Sequence, residues 1–267
     1  MNRLRLWLLL LALAPLTVVA QPLLWSDEFD QPDGSPPNAS RWTYDLGGSG
    51  FGNRELQSYT DRPENVHIEN GMLVIEARRE EFSGQDGLTR AYTSARLKTS
   101  GLFSTRHGRI EARIKIPSGP GMWPAFWALG QDITTAGWPQ CGEIDVMENI
   151  GREPALVHGT VHGPGYSGGQ GLGAPYQLAS GASFANEFHC YSVEWRHQRI
   201  TFQVDGHTYH EVTPEKLPAG APWVFEHPFF LIVNLAVGGD WPGPPEATTQ
   251  FPQRMWIDYV RCYSAAD

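Results

Sequence analysis

Three cysteines are few for a chain of 267 residues, and their number and spacing limit what they can do. Cys141, Cys190 and Cys262 form no C-x-x-C pair, which argues against a zinc site built on cysteine. In an exported protein an odd number leaves at least one thiol free or paired between molecules. We expect each to be a buried structural thiol, and the sequence leaves any disulfide pairing open.

Basic residues are also scarce. Lysine and arginine number 20 against 29 aspartates and glutamates, so the formal net charge is −9 at pH 7. A chain with this balance is a poor complement to nucleic acid, to anionic membranes and to acidic polymers, because like charges repel. We therefore expect no nucleic-acid partner and a neutral ligand.

Only one segment is apolar enough to resemble a membrane segment. Residues 6–13 follow Arg3 and Arg5 and precede a stretch of small residues that ends at Ala20. This order is typical of a signal peptide, and the apolar run is too short to span a bilayer comfortably. The sequence predicts a signal peptide at 1–20 and a secreted protein, extracellular or periplasmic. An uncleaved anchor is the alternative.

Cleavage after Ala20 would remove two arginines and change the net charge from −9 to −11. We expect no membrane contact after cleavage. Residues 21–267 are the length of one sandwich or barrel domain, so a single domain is predicted, and a monomer is expected.

The sequence also has no long segment in which apolar residues recur at helical spacing; only the segment 214–217 favours a turn of helix. Short alternating runs take its place. Residues 109–116 alternate apolar and polar, 200–204 and 207–212 flank an Asp-Gly turn, and 229–237 is almost continuously apolar. Many short strands separated by Gly and Pro clusters indicate an all-β sandwich.

The most informative segment reads Glu-Ile-Asp-Val-Met-Glu from residue 143 to residue 148. On a regular strand Glu143 and Asp145 point to one face and Glu148 to the other. A β-bulge at Val146 and Met147 would add the residue needed to bring Glu148 beside the other two. Crowding three carboxylates is costly because like charges resist ionising together, so we expect this trio to perform chemistry.

Cleavage of a glycosidic bond is the chemistry that uses paired carboxylates on one surface. A retaining mechanism needs the two carboxyls about 5–5.5 Å apart, and two glutamates on one bulged strand suit that spacing. The alternative for such a motif is a solvated acidic strand face. Trp123, Trp127 and Trp138 close by favour a sugar cleft, because flat aromatic faces pack on pyranose rings.

At this point the sequence resembles glycoside hydrolase family 16, and within it the laminarinase-like endo-β-1,3-glucanases. The motifs that carry the resemblance follow the family's order along nearly the whole mature chain. They lie at residues 53–57, 92–97, 123–127, 142–148, 158–162, 234–239 and 256–261. The resemblance implies a bent β-sandwich, a jelly roll, whose concave sheet forms the substrate cleft. It also implies that Glu143 is the nucleophile, Glu148 the acid/base and Asp145 the residue that tunes them.

Substrate-binding positions follow from the same resemblance, and each has an alternative. Asn53 and Arg96 match positions that hydrogen-bond glucose hydroxyls, and for Arg96 a salt bridge to a carboxylate is nearly as well favoured. His162 matches a cleft position near the substrate or the acid/base, with a structural histidine as the competing interpretation.

The tryptophans near the acids are the candidate aromatic surfaces of the cleft. Trp123 and Trp138 are predicted sugar platforms and Trp127 part of the cleft floor, although core positions are the usual fate of tryptophan. Phe126 and Trp127 alternate along one strand, so at least one of them is expected in the core. Trp241 is a predicted rim residue.

Two further groups of polar residues are candidate sites. His158 and His162 have the spacing of a zinc pair on a helix, but the Gly-Thr-Val between them favours a strand, where the imidazoles stand about 13 Å apart. That excludes a shared zinc ion. Glu55 is a possible fourth acid, and Arg54 and Gln57 beside it favour a structural or orienting role.

The family also often carries a calcium ion away from the catalytic cleft. The matching positions in this chain are Glu28, the carbonyl of Gly71 and Asp258. Oxygen ligands gathered from both chain ends suit a hard cation. We expect a structural Ca²⁺ at most, and no cofactor for catalysis.

The sequence therefore predicts a retaining endo-glycosidase that hydrolyses β-1,3-glucosidic linkages in neutral β-glucans such as laminarin. Met147, the extra residue before Glu148, places the chain with the bulged group that includes agarases and carrageenases, and the acidic charge weighs against carrageenan. A mixed-linkage β-1,3-1,4-glucanase, an agarase-like hydrolase, a transglycosylase and a β-glucan-binding protein that does not cut are the alternatives.

Overall fold

The structure is a computed structural model that describes residues 21–265, so the predicted signal peptide lies outside the described residues. The described chain is almost entirely β-structure, as two sheets packed face to face. The predicted all-β sandwich is confirmed.

Seventeen strands account for the two sheets. They are β1 (Leu23–Asp27), β2 (Thr43–Tyr44), β3 (Gln57–Tyr59), β4 (Val66–Glu69), β5 (Met72–Ser83), β6 (Thr89–Ser94), β7 (Arg96–Lys98), β8 (Gly108–Lys115), β9 (Met122–Gly130), β10 (Glu143–Glu148), β11 (Leu156–His162), β12 (Leu172–Gln177), β13 (His189–Arg196), β14 (Arg199–Val204), β15 (His207–Val212), β16 (Phe229–Val237) and β17 (Gln253–Tyr263). The short helices are α1 (Ile133–Ala136) and the 3₁₀ turns Gly168–Gln170, Ala179–Gly181 and Pro214–Lys216.

These elements confirm the strands expected from sequence. The alternating run 109–116 is β8, the Asp-Gly hairpin is β14 and β15, and the apolar run 229–237 is β16. Asp205 and Gly206 both have positive φ, at 50° and 77°, as a two-residue hairpin turn of the twisted type requires.

One sheet has ten strands and the other seven. The larger has the order β15-β14-β13-β8-β17-β5-β6-β3, with β1 paired to β17 and β4 to β5. The smaller has the order β12-β11-β10-β9-β16-β7-β2. Neighbours in the smaller sheet come from distant parts of the chain, so residues near 43, 97, 127, 145, 160 and 234 lie side by side.

The main core fills the space between the sheets. Strands of the smaller sheet alternate across it: in β11 Val157, Gly159 and Val161 are buried, while His158 and Thr160 are partly exposed on the outer face. The inner residues join one apolar cluster with those of the larger sheet. The outer face of the smaller sheet is consequently free to carry polar side chains.

A second, smaller apolar cluster lies on that outer face. Leu129, Cys141, Phe230 and Ile232 form it, with Ile133 of α1 packed against it. It anchors the loop between β9 and β10 to the outer face of the sheet.

The residues of the predicted calcium site lie on strands or turns near the chain ends. Glu28 follows β1, Gly71 is in the turn between β4 and β5, and Asp258 is in β17. Both carboxylates have arginine partners: Glu28 accepts hydrogen bonds of 2.9 and 2.7 Å from Arg261, and Asp258 accepts one of 2.6 Å from Arg113. The calcium site stays a prediction.

The cysteines are all unpaired. Cys141 and Cys262 are buried as expected. Cys190 is only half-buried, so the expectation of a buried thiol is wrong at that position. It lies in β13, on a polar outer face where Glu111 and Tyr259 are its neighbours. Within residues 21–265 no helix combines the length and apolarity needed to cross a membrane.

Close approach of the two sheets beneath β11 depends on Gly159. A Cβ built there would lie 2.3 Å from the Tyr209 hydroxyl and 2.4 Å from a ring carbon of Phe202. Gly159→Ala should therefore lower the free energy of unfolding by about 1–3 kcal/mol, the usual cost of overpacking a core. Gly169→Ala, where a Cβ meets nothing within 4 Å, is the matched control. Denaturant unfolding measures both, and equal stability of the two variants would contradict the prediction.

Candidate active site

A β-bulge in β10 gathers the three acids. Against β9, Asp145 pairs with Trp127 and Met147 with Phe126, so the register shifts between Asp145 and Met147. Against β11 the register shifts between Asp145 and Glu148. The predicted bulge is confirmed. Val146 and Met147 are both buried, and the acids on either side of them emerge on the outer face.

The bulge also explains the spacing of the two histidines. Glu143 pairs with His162 across the ladder and Glu148 pairs with His158. The glutamates are five residues apart and the histidines four, and the extra residue of the bulge makes the two spans match. Each glutamate therefore has an imidazole opposite it.

Two indoles hold the two glutamates. Trp138 Nε1 donates a hydrogen bond of 2.9 Å to Glu143 Oε2, and Trp123 Nε1 donates one of 3.0 Å to Glu148 Oε1. Trp123 comes from β9, whereas Trp138 lies in the loop after α1 with 47% of its surface exposed. A neutral N–H donor orients a carboxylate without adding a charge beside it.

His162 lies on the Glu143 side of the site. Its Nε2 is 3.1 Å from Asp145 Oδ2 and 3.8 Å from Glu143 Oε1. The side chain of Asp145 is only 4% exposed, against 18% for Glu143. His162 lines the cleft, and its neighbours among the acids are Glu143 and Asp145; its contact with substrate stays a prediction.

Burial and mutual repulsion change the protonation of the trio. Loss of solvent, followed by the charge of Asp145, raises the pKa of Glu143 to about 8. Loss of solvent and the charge of Glu143 raise the pKa of Glu148 to about 7. Burial, then the charge of Glu148, also raises the pKa of Asp145 well above its ordinary value. The site therefore retains protons at neutral pH, as acid catalysis requires.

The floor of the cleft is a network of polar and aromatic groups. Trp127 Nε1 donates 2.8 Å to Asn234 Oδ1, and Asn234 Nδ2 donates 3.2 Å to the Tyr59 hydroxyl. Arg96 lies over the Trp127 ring at 4.7 Å and pairs with Asp45 at 2.9 Å. Arg96 thus both lines the cleft and makes the salt bridge that was its alternative. Phe126 is in the core, as expected of one of the pair.

Glu55 is buried within this network. Its carboxylate accepts hydrogen bonds from Gln57 Nε2 at 2.6 Å, from the Tyr59 hydroxyl at 2.9 Å and from Asn53 Nδ2 at 3.4 Å. With three donors on it, the carboxylate holds the loop that carries Asn53. This geometry supports the orienting role expected from sequence.

The cleft extends to both sides of the trio. One space, of about 410 Å³, lies over the floor, and the other, of about 650 Å³, is bounded by Trp241, His158 and a wall of glycines between 168 and 173. The residues shared by both are Asn53, Trp123, Trp138, Glu143 and Glu148. Glu143 and Glu148 thus project from one face of the sheet and stand where the two spaces meet.

Sequence reasoning missed two residues of the site. Asn234 is a single polar residue within the otherwise apolar β16, and that isolation was a usable signal. His158 lacked such a signal, because its pairing with Glu148 depends on the register of two strands. Its ring stands 5.0 Å from Trp241, which in turn packs 5.7 Å from Trp123.

Comparison with known proteins agrees with the site. A family model for the glycosyl hydrolases of family 16 matches residues 53–261. A beta-glucanase from Rhodothermus marinus is 43% identical over 254 residues, covering 90% of this chain and 84% of the relative.

Solved structures give the same result. The laminarinase catalytic domain of Thermotoga maritima MSB8 superposes with a TM-score of 0.87 at 49% identity, over 92% of this chain and 99% of that one. An endo-beta-1,3-glucanase from Pyrococcus furiosus also has a TM-score of 0.87 at 49% identity, over 92% and 95%. The chain therefore belongs to family 16 of the glycosyl hydrolases.

Proposed function

We propose that this protein is a retaining endo-β-1,3-glucanase that hydrolyses neutral β-glucans such as laminarin. The observation that carries the proposal is the bulge of β10, which sets Glu143, Asp145 and Glu148 on one face between two indole donors. The similarity to beta-glucanases and laminarinases over nearly the whole described chain supports the β-1,3 linkage.

Glu143 is the nucleophile. Its carboxylate attacks the anomeric carbon of the sugar bound over the cleft floor, and the glycosidic bond breaks as a glycosyl-enzyme ester forms. Glu148 gives its proton to the departing glycosidic oxygen. The same residue then takes a proton from water, which attacks the ester and releases the sugar with its original configuration.

The reaction needs Glu143 ionised and Glu148 protonated. Burial raises the pKa of both groups, to about 8 for Glu143 and about 7 for Glu148, so either can hold a proton near neutral pH, and the reaction proceeds from the state with the proton on Glu148. Positive charge on the His162 imidazole lowers the pKa of both glutamates, and its Nε2, 3.8 Å from Glu143 Oε1, is placed to stabilise the ionised nucleophile. Asp145 contacts the same imidazole, with its Oδ2 3.1 Å from His162 Nε2, and its charge raises the pKa of Glu143.

The glucan lies along the cleft across the trio. Space on both sides of Glu143 and Glu148 supports cleavage of internal bonds. Trp123 and Trp138 provide aromatic faces, Trp127 lies in the floor, and Asn53 and Arg96 offer donors to sugar hydroxyls. The acidic surface favours a neutral polymer over a sulfated one.

A β-glucan-binding protein that does not cut is the competing function. Such a protein needs the aromatic faces and has no use for two half-buried glutamates whose pKa values are raised toward neutral pH. Both glutamates stand in hydrogen-bonded positions, so the hydrolase is the better supported function. The proposal also includes export of the protein after signal-peptide cleavage following Ala20, and a monomeric state. Both rest on sequence patterns.

Product analysis on laminarin, mixed-linkage glucan and agar tests the reaction and its substrate. Wild type should release a series of oligosaccharides from laminarin fastest. Glu143→Gln should lower turnover by at least about a thousandfold and still bind laminarin, because the nucleophile is lost while the cleft is kept. Binding without hydrolysis by the wild type would establish the competing function.

Azide added to alanine variants of the two glutamates distinguishes the nucleophile from the acid/base. With an aryl β-laminaribioside, Glu148→Ala plus azide should yield the β-glycosyl azide, because azide replaces water in the second step. Glu143→Ala plus azide should yield the α-glycosyl azide, because azide then attacks in place of the nucleophile. Exchange of the two stereochemical outcomes would reverse the assignment.

The acid limb of the pH profile should respond to Asp145. The charge of Asp145 and its hydrogen bond both raise the pKa of Glu143, so Asp145→Asn lets Glu143 ionise at lower pH. The acid limb of kcat/KM should shift to lower pH, with a smaller effect on the alkaline limb. Glu211→Gln, a surface carboxylate on β15, is the control. An acid limb that stays in place or moves upward would contradict the role given to Glu143.

We propose a structural calcium ion at Glu28, the Gly71 carbonyl and Asp258. Oxygen donors of this kind fit a hard cation, while Arg261 and Arg113 compete for the two carboxylates and make the binding weak. The melting temperature of the wild type should be higher in millimolar calcium than in a chelator, and the melting temperature of Glu28→Gln should be the same in both. A wild-type melting temperature that does not change with calcium would contradict the proposed site.

A further inference from the structure

Three atoms that could bind a metal ion lie close together at the nucleophile, and one of them belongs to the nucleophile itself. Each of Glu143, Asp145 and His162 offers one such atom, and all three atoms lie within 4.8 Å of one another. His162 Nε2 is 3.1 Å from Asp145 Oδ2 and 3.8 Å from Glu143 Oε1. The other oxygen of Glu143 accepts the indole N–H of Trp138, so Oε1 is the one left toward His162.

Asp145 adds an independent sign of a missing ligand. Its side chain is 4% exposed, and its Oδ2 is fully buried, with no hydrogen bond from any residue in 21–265 and an ion-pair contact of 3.1 Å with His162 Nε2. A buried carboxylate oxygen without a donor is costly, and such groups usually accept a hydrogen bond or coordinate a cation. A cation held between this oxygen and His162 Nε2 would satisfy both atoms.

We infer that Glu143, Asp145 and His162 bind a single zinc-class divalent ion, which blocks the active site reversibly. This inference rests on the proposed function, since the block acts through Glu143. One imidazole and two carboxylates are a donor set typical of zinc, with bonds of about 2.0–2.2 Å, so two donors of one ion lie at most about 4.4 Å apart. Both distances from His162 satisfy that limit.

The donor set also selects the class of metal. Calcium takes six to eight oxygen ligands, whereas this site offers two oxygens and a nitrogen. Imidazole favours zinc, copper and nickel. A bound ion neutralises Glu143 through Oε1, the oxygen nearer His162, and Glu143 lines the cleft, so the ion competes with the glucan. Glu148 and its indole donor Trp123 take no part.

Isothermal titration of the purified enzyme with zinc chloride tests the inference directly. Wild type should bind one Zn²⁺, and Zn²⁺ should inhibit laminarin hydrolysis competitively, while Ca²⁺ should not. His162→Gln and Asp145→Asn should each weaken Zn²⁺ binding at least about tenfold, because loss of even an outer-shell partner costs that much. Circular dichroism checks that both variants fold.

Two histidine variants serve as matched controls. His158 stands on the same strand in the same cleft, opposite Glu148 and 3.6 Å from Glu153, so His158→Gln should bind Zn²⁺ as the wild type does. His107 shares the Glu226 carboxylate with His197, away from the cleft, and His107→Gln reports on zinc bound there.

Three binding results would contradict the inference: no Zn²⁺ binding at millimolar concentration, unchanged binding by His162→Gln, or loss of binding in His107→Gln. Inhibition by Zn²⁺ that added laminarin does not relieve would contradict it as well. Because calorimetry reads binding without turnover, the two proposals fail separately. A wild type that hydrolyses laminarin and does not bind Zn²⁺ contradicts only the metal site. A zinc-binding wild type that cuts no glucan contradicts the proposed function.

Discussion

The β-bulge at Val146 and Met147 is the constraint on which the site depends. In a regular strand Glu148 would point into the core, where an ionised carboxylate without a partner is very costly. The bulge gives up regular pairing at one position and turns two consecutive apolar side chains inward. Both are buried in the main core, so hydrophobic packing stabilises the irregularity that the chemistry needs.

Indole donors are suited to a site that has to hold protons. A guanidinium beside Glu143 or Glu148 would hold the carboxylate ionised and remove its capacity to act as an acid. An indole N–H fixes the position of the oxygen and leaves burial as the main influence on its pKa. Arg96, a guanidinium in the cleft, is paired with Asp45 and stacked on Trp127, and it forms no ion pair with the trio among the described residues.

Local pattern was enough to predict the strands, the bulge and the shared face of the acids, because each follows from alternation within one segment. Sequence could not give the partner of each acid. His158 faces Glu148 only because β10 and β11 adopt one register, and Trp138 reaches Glu143 from a loop whose path is set by packing on the outer cluster. The half-buried Cys190 depends in the same way on distant neighbours, Glu111 and Tyr259.

The kind of partner separates structural from reactive acids in this fold. On the larger sheet Glu111 is paired with Arg109 at 2.6 Å and Glu76 with Arg254 at 2.6 Å, so their burial is matched by guanidinium charge. Among the described residues no lysine or arginine forms an ion pair with any acid of the β10 trio; its ionic partner is the imidazole of His162. Burial without a permanent cation raises a carboxyl pKa into the range where it can exchange a proton. The same lack of fixed positive charge lets Glu143 and Asp145 accept a cation, a proton during catalysis or, together with His162, a zinc-class metal ion between turnovers.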